Sequence, residues 1–329
     1  MGIELDAVLL ANVLGDLWDW VVGVVERVGD VSVWLLLLAL ALKTAESAFI
    51  GLTWRNILRA AYPKSGLTFK TSWGASQGGT AINAVTPAQA GTAAMIGIFR
   101  ASIPGSSVPG VVSATVVQSL FFTGLSVFIV VLTVLFRPRT VSTGSPSNET
   151  KGFIAEHPFL SVLIAIALVA GAALLWRRLK PRLLELWAKA KAGGAILRDW
   201  RRYALEVAAP SLASYGCRIG VNVVFMSAFG IPVTLYTVFL VVSSHMLSGL
   251  FAITPGGVGQ TQALDVVTLR GYASAGDIAA FSITQDAVLT IWNVVLGAGV
   301  MLWAFGYGQV RDLIRNRGKQ TAESAPPGA

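Results

Sequence analysis

Twice in this chain, 168 positions apart, an apolar stretch of helical composition is cut by the same short pattern. Thr86-Pro87-Ala88-Gln89-Ala90-Gly91 and Thr254-Pro255-Gly256-Gly257-Val258-Gly259 both read T-P-x-x-x-G. Proline removes a backbone donor and blocks the turn before it, and glycine admits unusual dihedrals, so each helix is expected to break there. In hydrocarbon the opened backbone must be shielded by protein or by a water-filled cavity. A duplicated break inside a membrane protein therefore points to a binding site near the midplane.

Composition places the chain in a membrane. Of its 329 residues 54% are hydrophobic and 13% charged, against about 25% charged in soluble domains. The longest polar segments, 137–157, 177–202 and 308–329, are too short for a soluble domain. The net charge of +8 flanks apolar spans rather than forming a patch, so attraction to anionic lipid heads explains it and nucleic acid is not an expected partner. Segments 54–70, 177–202 and 308–329 are basic, whereas 1–30 holds six acids and Arg27. The positive-inside rule puts the three basic segments in the cytoplasm of a cell-membrane protein and the N-terminal segment outside.

These constraints predict an all-α polytopic membrane protein. Residues 1–30 read as an outer interfacial helix, 31–306 as one transmembrane domain, and 307–329 as a cytoplasmic tail. Within the domain the spans are 31–53, 111–136, 158–176, 207–229 and 279–306, and 177–202 reads as a basic amphipathic helix on the cytoplasmic leaflet. Segment 71–99 must leave the cytoplasm and return to it. It is too short for two crossings, which take about forty residues, so it is expected to be a re-entrant hairpin tipped at Thr86-Pro87. Segment 231–278 must likewise leave and regain the outer face, with its tip at Thr254-Pro255. The expected architecture is an inverted repeat of span/re-entrant hairpin/span units, 31–136 and 207–306, with 158–176 as the connecting span.

Charges inside the spans are few. Lys43, Glu46, Arg218, Asp265 and Asp286 fall deep, where each costs about 2.5–3.5 kcal/mol or more. Lys43 and Glu46, three apart, either neutralise each other or line the site. Arg218, with Asn222 one turn on, has no acid within a turn. It is expected to face an anionic ligand, with Asp265 and Asp286 as its natural protein partners otherwise. His245 precedes the second break and either packs or carries a proton. Asn83, Thr86, Pro87 and Gly91 at the first break, and Thr254, Pro255, Gly256, Gly257, Gly259 and Gln262 at the second, complete the candidate substrate-binding set. With two histidines, His157 and His245, and one cysteine, Cys217, no metal-ligand spacing exists. No cofactor is implied, and the residues support no enzymatic activity.

Trp54-Arg55-Asn56-Ile57-Leu58, the Asn83…Pro87…Gly91 break and Pro255-Gly256-Gly257-Val258-Gly259 together resemble the transmembrane-region family of lysylphosphatidylglycerol synthases, which includes flippase domains. The resemblance spans roughly 31–306. It implies a lipid translocase, and the soluble synthase domain of the bifunctional members is missing. Family acids and a basic residue are replaced here by Gln89, Thr92, Gln118 and Gln262, which bears on charge coupling and on the headgroup. The expected function is therefore flippase-like movement of an anionic phospholipid or a polyprenyl-phosphate-linked lipid. The alternative is a non-transporting accessory or scaffold subunit docked to a lipid or glycan biosynthetic enzyme. A membrane-embedded transferase is a weaker third reading, and a homo-oligomer stays open.

Overall fold

The structure is a computed structural model that describes residues 32–86, 90–135, 195–250 and 259–323. The expected outer helix 1–30, most of loop 137–157, the connecting span 158–176, most of 177–202 and the end of the tail lie outside the described residues. So do Pro87, Gln89, Thr254, Pro255, Gly256 and Gly257.

The described residues form α-helices and no strand. They are α1 Val33–Ala61, α2 Phe69–Val85, α3 Ala90–Ser102, α4 Val108–Leu135, α5 Trp200–Tyr203, α6 Ala209–Ala228, α7 Leu235–Leu250, α8 Gln260–Thr268 and α9 Ala275–Glu323. A 3₁₀ turn, Ala195–Arg198, precedes α5, and a π-helical turn, Ala204–Ala208, joins α5 to α6. Among the described residues α1, α4 and α9 have segments long and apolar enough to cross a membrane. The expected span 207–229 is α6, whose 20 residues suffice for length. It falls short on apolarity because it buries Ser211, Ser214 and Asn222 against protein rather than turning a fully apolar surface to lipid.

Several boundaries follow from local chemistry. The span expected at 31–53 continues to Ala61, because 54–61 holds no breaker and buries Trp54, Ile57 and Leu58. Helix α2 begins at Thr68, whose hydroxyl accepts the Thr71 N–H as an N-cap. Helix α9 is broken at Gly306, where φ is 74°, a left-handed value that glycine adopts without steric cost. That break coincides with the expected end of the last span at 306.

Two apolar cores form at opposite ends of α1 and α4. One gathers Ala39 and Ile129 with Tyr215, Val224, Phe225, Val241, Leu269 and Phe281, thus the N-terminal half of α1, the C-terminal half of α4, and helices α6 to α9. The other gathers Trp54, Ile57 and Leu58 with Met95, Phe99, Val111, Ala114 and Val207, thus the C-terminal half of α1, the start of α4, and helices α2 and α3. Pairwise packing is reciprocal. α1 packs on α6, α2 on α9, α7 on α4, α3 on α4, and α8 on α9.

Small residues permit the tightest of these contacts. A side-chain carbon on Gly74 would meet the Phe305 ring at 2.9 Å, and one on Gly297 would meet the Gln77 carbonyl oxygen at 3.1 Å. Helices α2 and α3 fold back on each other at Gly79 and Gly91. There a methyl group on Gly91 would run into the Gly79 carbonyl oxygen and the backbone nitrogen of Asn83. The Gly91 N–H donates to Asn83 Oδ1 (2.7 Å), which closes the hairpin below its tip.

Gly91→Ala is therefore expected to lower stability by about 1–3 kcal/mol, the range for overpacking. Gly97→Ala, on the same helix with nothing within 4 Å of the added carbon, is expected to be neutral or stabilising by up to about 1 kcal/mol. Thermal unfolding of the detergent-solubilised protein distinguishes the two.

Candidate functional site

Glu46 lies thirteen residues beyond the start of α1 at Val33, about 20 Å along it at 1.5 Å per residue. Its side chain is 2% exposed and shared by two cations. Lys43 Nζ donates to Oε2 at 2.9 Å from the preceding turn of the same helix. Arg218 donates to Oε1 from α6, through Nε and Nη2, both at 2.9 Å. Three further ties hold α1 in place. Asn56 Nδ2 donates to the Glu206 carbonyl in the π turn (2.8 Å), Trp73 Nε1 to Ser47 Oγ (3.0 Å), and Trp292 Nε1 to Thr44 Oγ1 (3.1 Å). Two cations share one carboxylate, so the cluster keeps one net positive charge. The Arg218 side chain remains 46% exposed.

This corrects the expected partners of Arg218. Asp265 and Asp286 do not reach it. Its partner is Glu46, 172 positions away, brought there because α1 and α6 pack side by side. Asn222, one turn beyond Arg218, is buried and accepts from Gln285 Nε2 of α9 (2.7 Å).

Asp265 and Asp286 belong to a separate network around α7 and α8. Asp265 is fully buried. It accepts from Ser244, from Ser282 Oγ (2.6 Å) and pairs with His245 Nε2 (3.1 Å). Three neighbours on two other helices thus compensate a carboxylate that could not stay buried alone. Gln262 Nε2 donates to Asp286 Oδ2 (2.6 Å), while its Oε1 accepts the Gly259 N–H (2.5 Å). Gly259, at φ 90°, caps α8. Ser248 contacts Thr261 Oγ1 at 2.6 Å and accepts from Gln260 through its carbonyl (2.8 Å), tying α7 to α8 near the second break.

At the first break the candidate residues line a cavity of about 290 Å³ between α1, α2, α3 and α4. Asn83 and Gly91 form part of its wall with Ser76, Thr80, Thr92 and Gln118. Asn83 Nδ2 donates to Thr92 Oγ1 (3.3 Å). Thr86 stands just outside, with its hydroxyl on the Ile82 carbonyl (2.6 Å). The structure therefore divides the candidate set in three: Lys43, Glu46 and Arg218; His245, Asp265, Asp286, Gly259 and Gln262; and Asn83 with Gly91. Ser244 and Ser282 were not singled out from the sequence. Serines are common in helices, and only the fold shows which ones meet a carboxylate.

Loss of Glu46 is expected to cost more than loss of either cation. Glu46→Gln leaves Lys43 and Arg218 uncompensated and should destabilise by roughly 3 kcal/mol. Arg218→Gln leaves Glu46 still paired with Lys43 and frees a half-exposed side chain, so about 1 kcal/mol or less is expected. Matched thermal or denaturant unfolding of the two variants checks the order.

No curated protein and no solved structure matches this chain. The family model described as the lysylphosphatidylglycerol synthase TM region matches residues 17–298. Helices of membrane-spanning length fit that match. The chain belongs to the lysylphosphatidylglycerol synthase transmembrane-region family.

Proposed function

We propose that this protein is a flippase-like translocase that carries the headgroup of an anionic phospholipid or a polyprenyl-phosphate-linked lipid across the bilayer. The observation that carries this reading is the cluster of two cations on one carboxylate. It holds a net positive charge within spanning helices, where an unbalanced charge is costly. Arg218 is half-exposed, and its guanidinium has five donors, of which the Glu46 contact uses two. A phosphate is the natural group to balance that charge, and bidentate capture by arginine is its favoured geometry.

Many transporter folds have two equivalent halves, and the packing favours such an arrangement here. The α2–α3 hairpin shares its core with the C-terminal half of α1, and the α7–α8 pair shares its core with the N-terminal half. The α2–α3 and α7–α8 pairs thus pack toward opposite halves of α1, which favours an inverted repeat of re-entrant hairpins. Exchanging α1 to α4 for α6 to α9 maps most of the packing pairs onto one another, α1 on α9 excepted. In this reading the N-terminal segment lies outside, the C-terminus lies in the cytoplasm of a cell-membrane protein, and the halves rock about α1 and α6.

Arg218→Ala is expected to abolish movement of a fluorescent anionic lipid in proteoliposomes while the protein stays folded. Unchanged transport would remove Arg218 from the mechanism. In a Cys217→Ser background, Ala101→Cys is expected to react with an impermeant thiol reagent only from the cytoplasmic face, and Ala275→Cys only from the outside. Reaction of both from one face would rule out the inverted arrangement.

A further inference from the structure

The cavity beside the first hairpin differs chemically from the Arg218 cluster. None of its described lining residues is charged. Its volume, about 290 Å³, is near the lower end of the ~300–1,000 Å³ range of small-molecule sites. The hydroxyls of Ser76, Thr80 and Thr115 donate to carbonyls of their own helices, those of Trp73 (3.2 Å), Ser76 (3.1 Å) and Val112 (2.6 Å). Their donors are spent, so towards the cavity they offer oxygen lone pairs. Asn83 is occupied on both sides by Gly91 and Thr92. Gln118, ten residues into α4, lines the cavity and has no hydrogen-bond partner among the described residues. The Gln118 side chain is half-buried there, and its amide offers both donors and an acceptor to a polar occupant.

These features select the occupant. An anion meets no cation among the described lining residues. A quaternary ammonium brings no donor. An apolar group leaves Gln118 unpaired. A cluster of hydroxyls supplies donors for Ser76, Thr80 and Thr115, and both a donor and an acceptor for Gln118. We propose that this cavity binds a neutral polyhydroxyl group, a sugar or polyol carried as a lipid headgroup. The proposal rests on the lipid reading only for the acyl chains that deliver the headgroup, and its readout is binding rather than transport.

The test is native mass spectrometry of the full chain in an amine-oxide detergent, which carries no sugar. Equimolar glucosyl-diacylglycerol, diacylglycerol and phosphatidylcholine of matched acyl chains are supplied. Wild type is expected to retain the glucosyl lipid preferentially. Gln118→Leu is expected to lower that retention about ten-fold, as when buried polar groups lose their partners, and Gln118→Asn to restore part of it. Thr80→Val supplies a second variant, at an exposed position, should Gln118→Leu fail to fold. Binding of methyl glucoside without any lipid would support the same chemistry with a soluble source. Equal retention of the three lipids, or retention unchanged in both Gln118→Leu and Thr80→Val, would overturn the proposal, whether or not anionic-lipid transport is observed.

Discussion

The architecture depends on burying one carboxylate, Glu46, between two cations. Helix α1 runs through both apolar cores and is tied by polar contacts to α2, α6 and α9. A charged residue in the middle of such a helix is tolerated only where it is paired. The pairing fixes the register of α1 against α6, because Arg218 must reach Glu46 while Asn56 reaches the carbonyl of Glu206. Register at that contact in turn sets where the remaining helices of each half can pack. The π turn at Ala204–Ala208 belongs to the same arrangement, since widening of a helix there frees a carbonyl that Asn56 then satisfies.

The two breaks share a pattern but are stabilised by different physics. At the first, glycines bring α2 and α3 into backbone contact, and a single amide, Asn83, spans the gap. At the second, hydroxyls and a buried carboxylate join α7 to α8. A close glycine contact is rigid because neither backbone can yield. A network of rotatable hydroxyls can re-form after its members move. If the halves rock against each other, the α2–α3 hairpin is suited to move as a unit with α9, on which α2 packs closely, and the α7–α8 pair is the more deformable of the two.

Much of this was legible in the chain. Glycine and threonine marked the described edges of the breaks, and run lengths marked the spans at 31–53, 111–136 and 279–306, because both signals are local. The kink at Gly306 falls where the last span was expected to end, two residues before the apolar segment does. The partner of Arg218 was not legible: Glu46 is 172 positions away, and pairing by helix adjacency leaves no trace in spacing. Asp265 and Asp286 were nearer in sequence and of the right sign, yet both face α7 and α8 chemistry instead. The cavity was hidden for a similar reason. Its wall takes one or a few residues from each of four helices, and serine or threonine in an apolar helix reads as ordinary filler. The helix end at Ala61 was missed because charge, not helix propensity, marked the expected end of the span.

The neutral amide at Gln262, where the resemblance implies an acid, follows a local rule. Gln262 sits 2.6 Å from an Asp286 oxygen through its amide nitrogen, and its carbonyl caps the N-terminus of α8 at Gly259. A glutamate there could still accept the Gly259 N–H, but it would face Asp286 with a second carboxylate at hydrogen-bond distance. Two such groups cannot both ionise at that separation without a shared proton or a cation between them. The amide removes the need for either. Gln118 and Thr92 lower the charge of the first cavity in the same way, and no cation lines that cavity among the described residues. The cluster of Lys43, Glu46 and Arg218 keeps one positive charge in excess, whereas Asp286, held by the neutral Gln262, has no cation in contact with it among the described residues. In the proposed reading that excess holds an anion at one place, and the uncharged wall of the first cavity takes a neutral polar group at another.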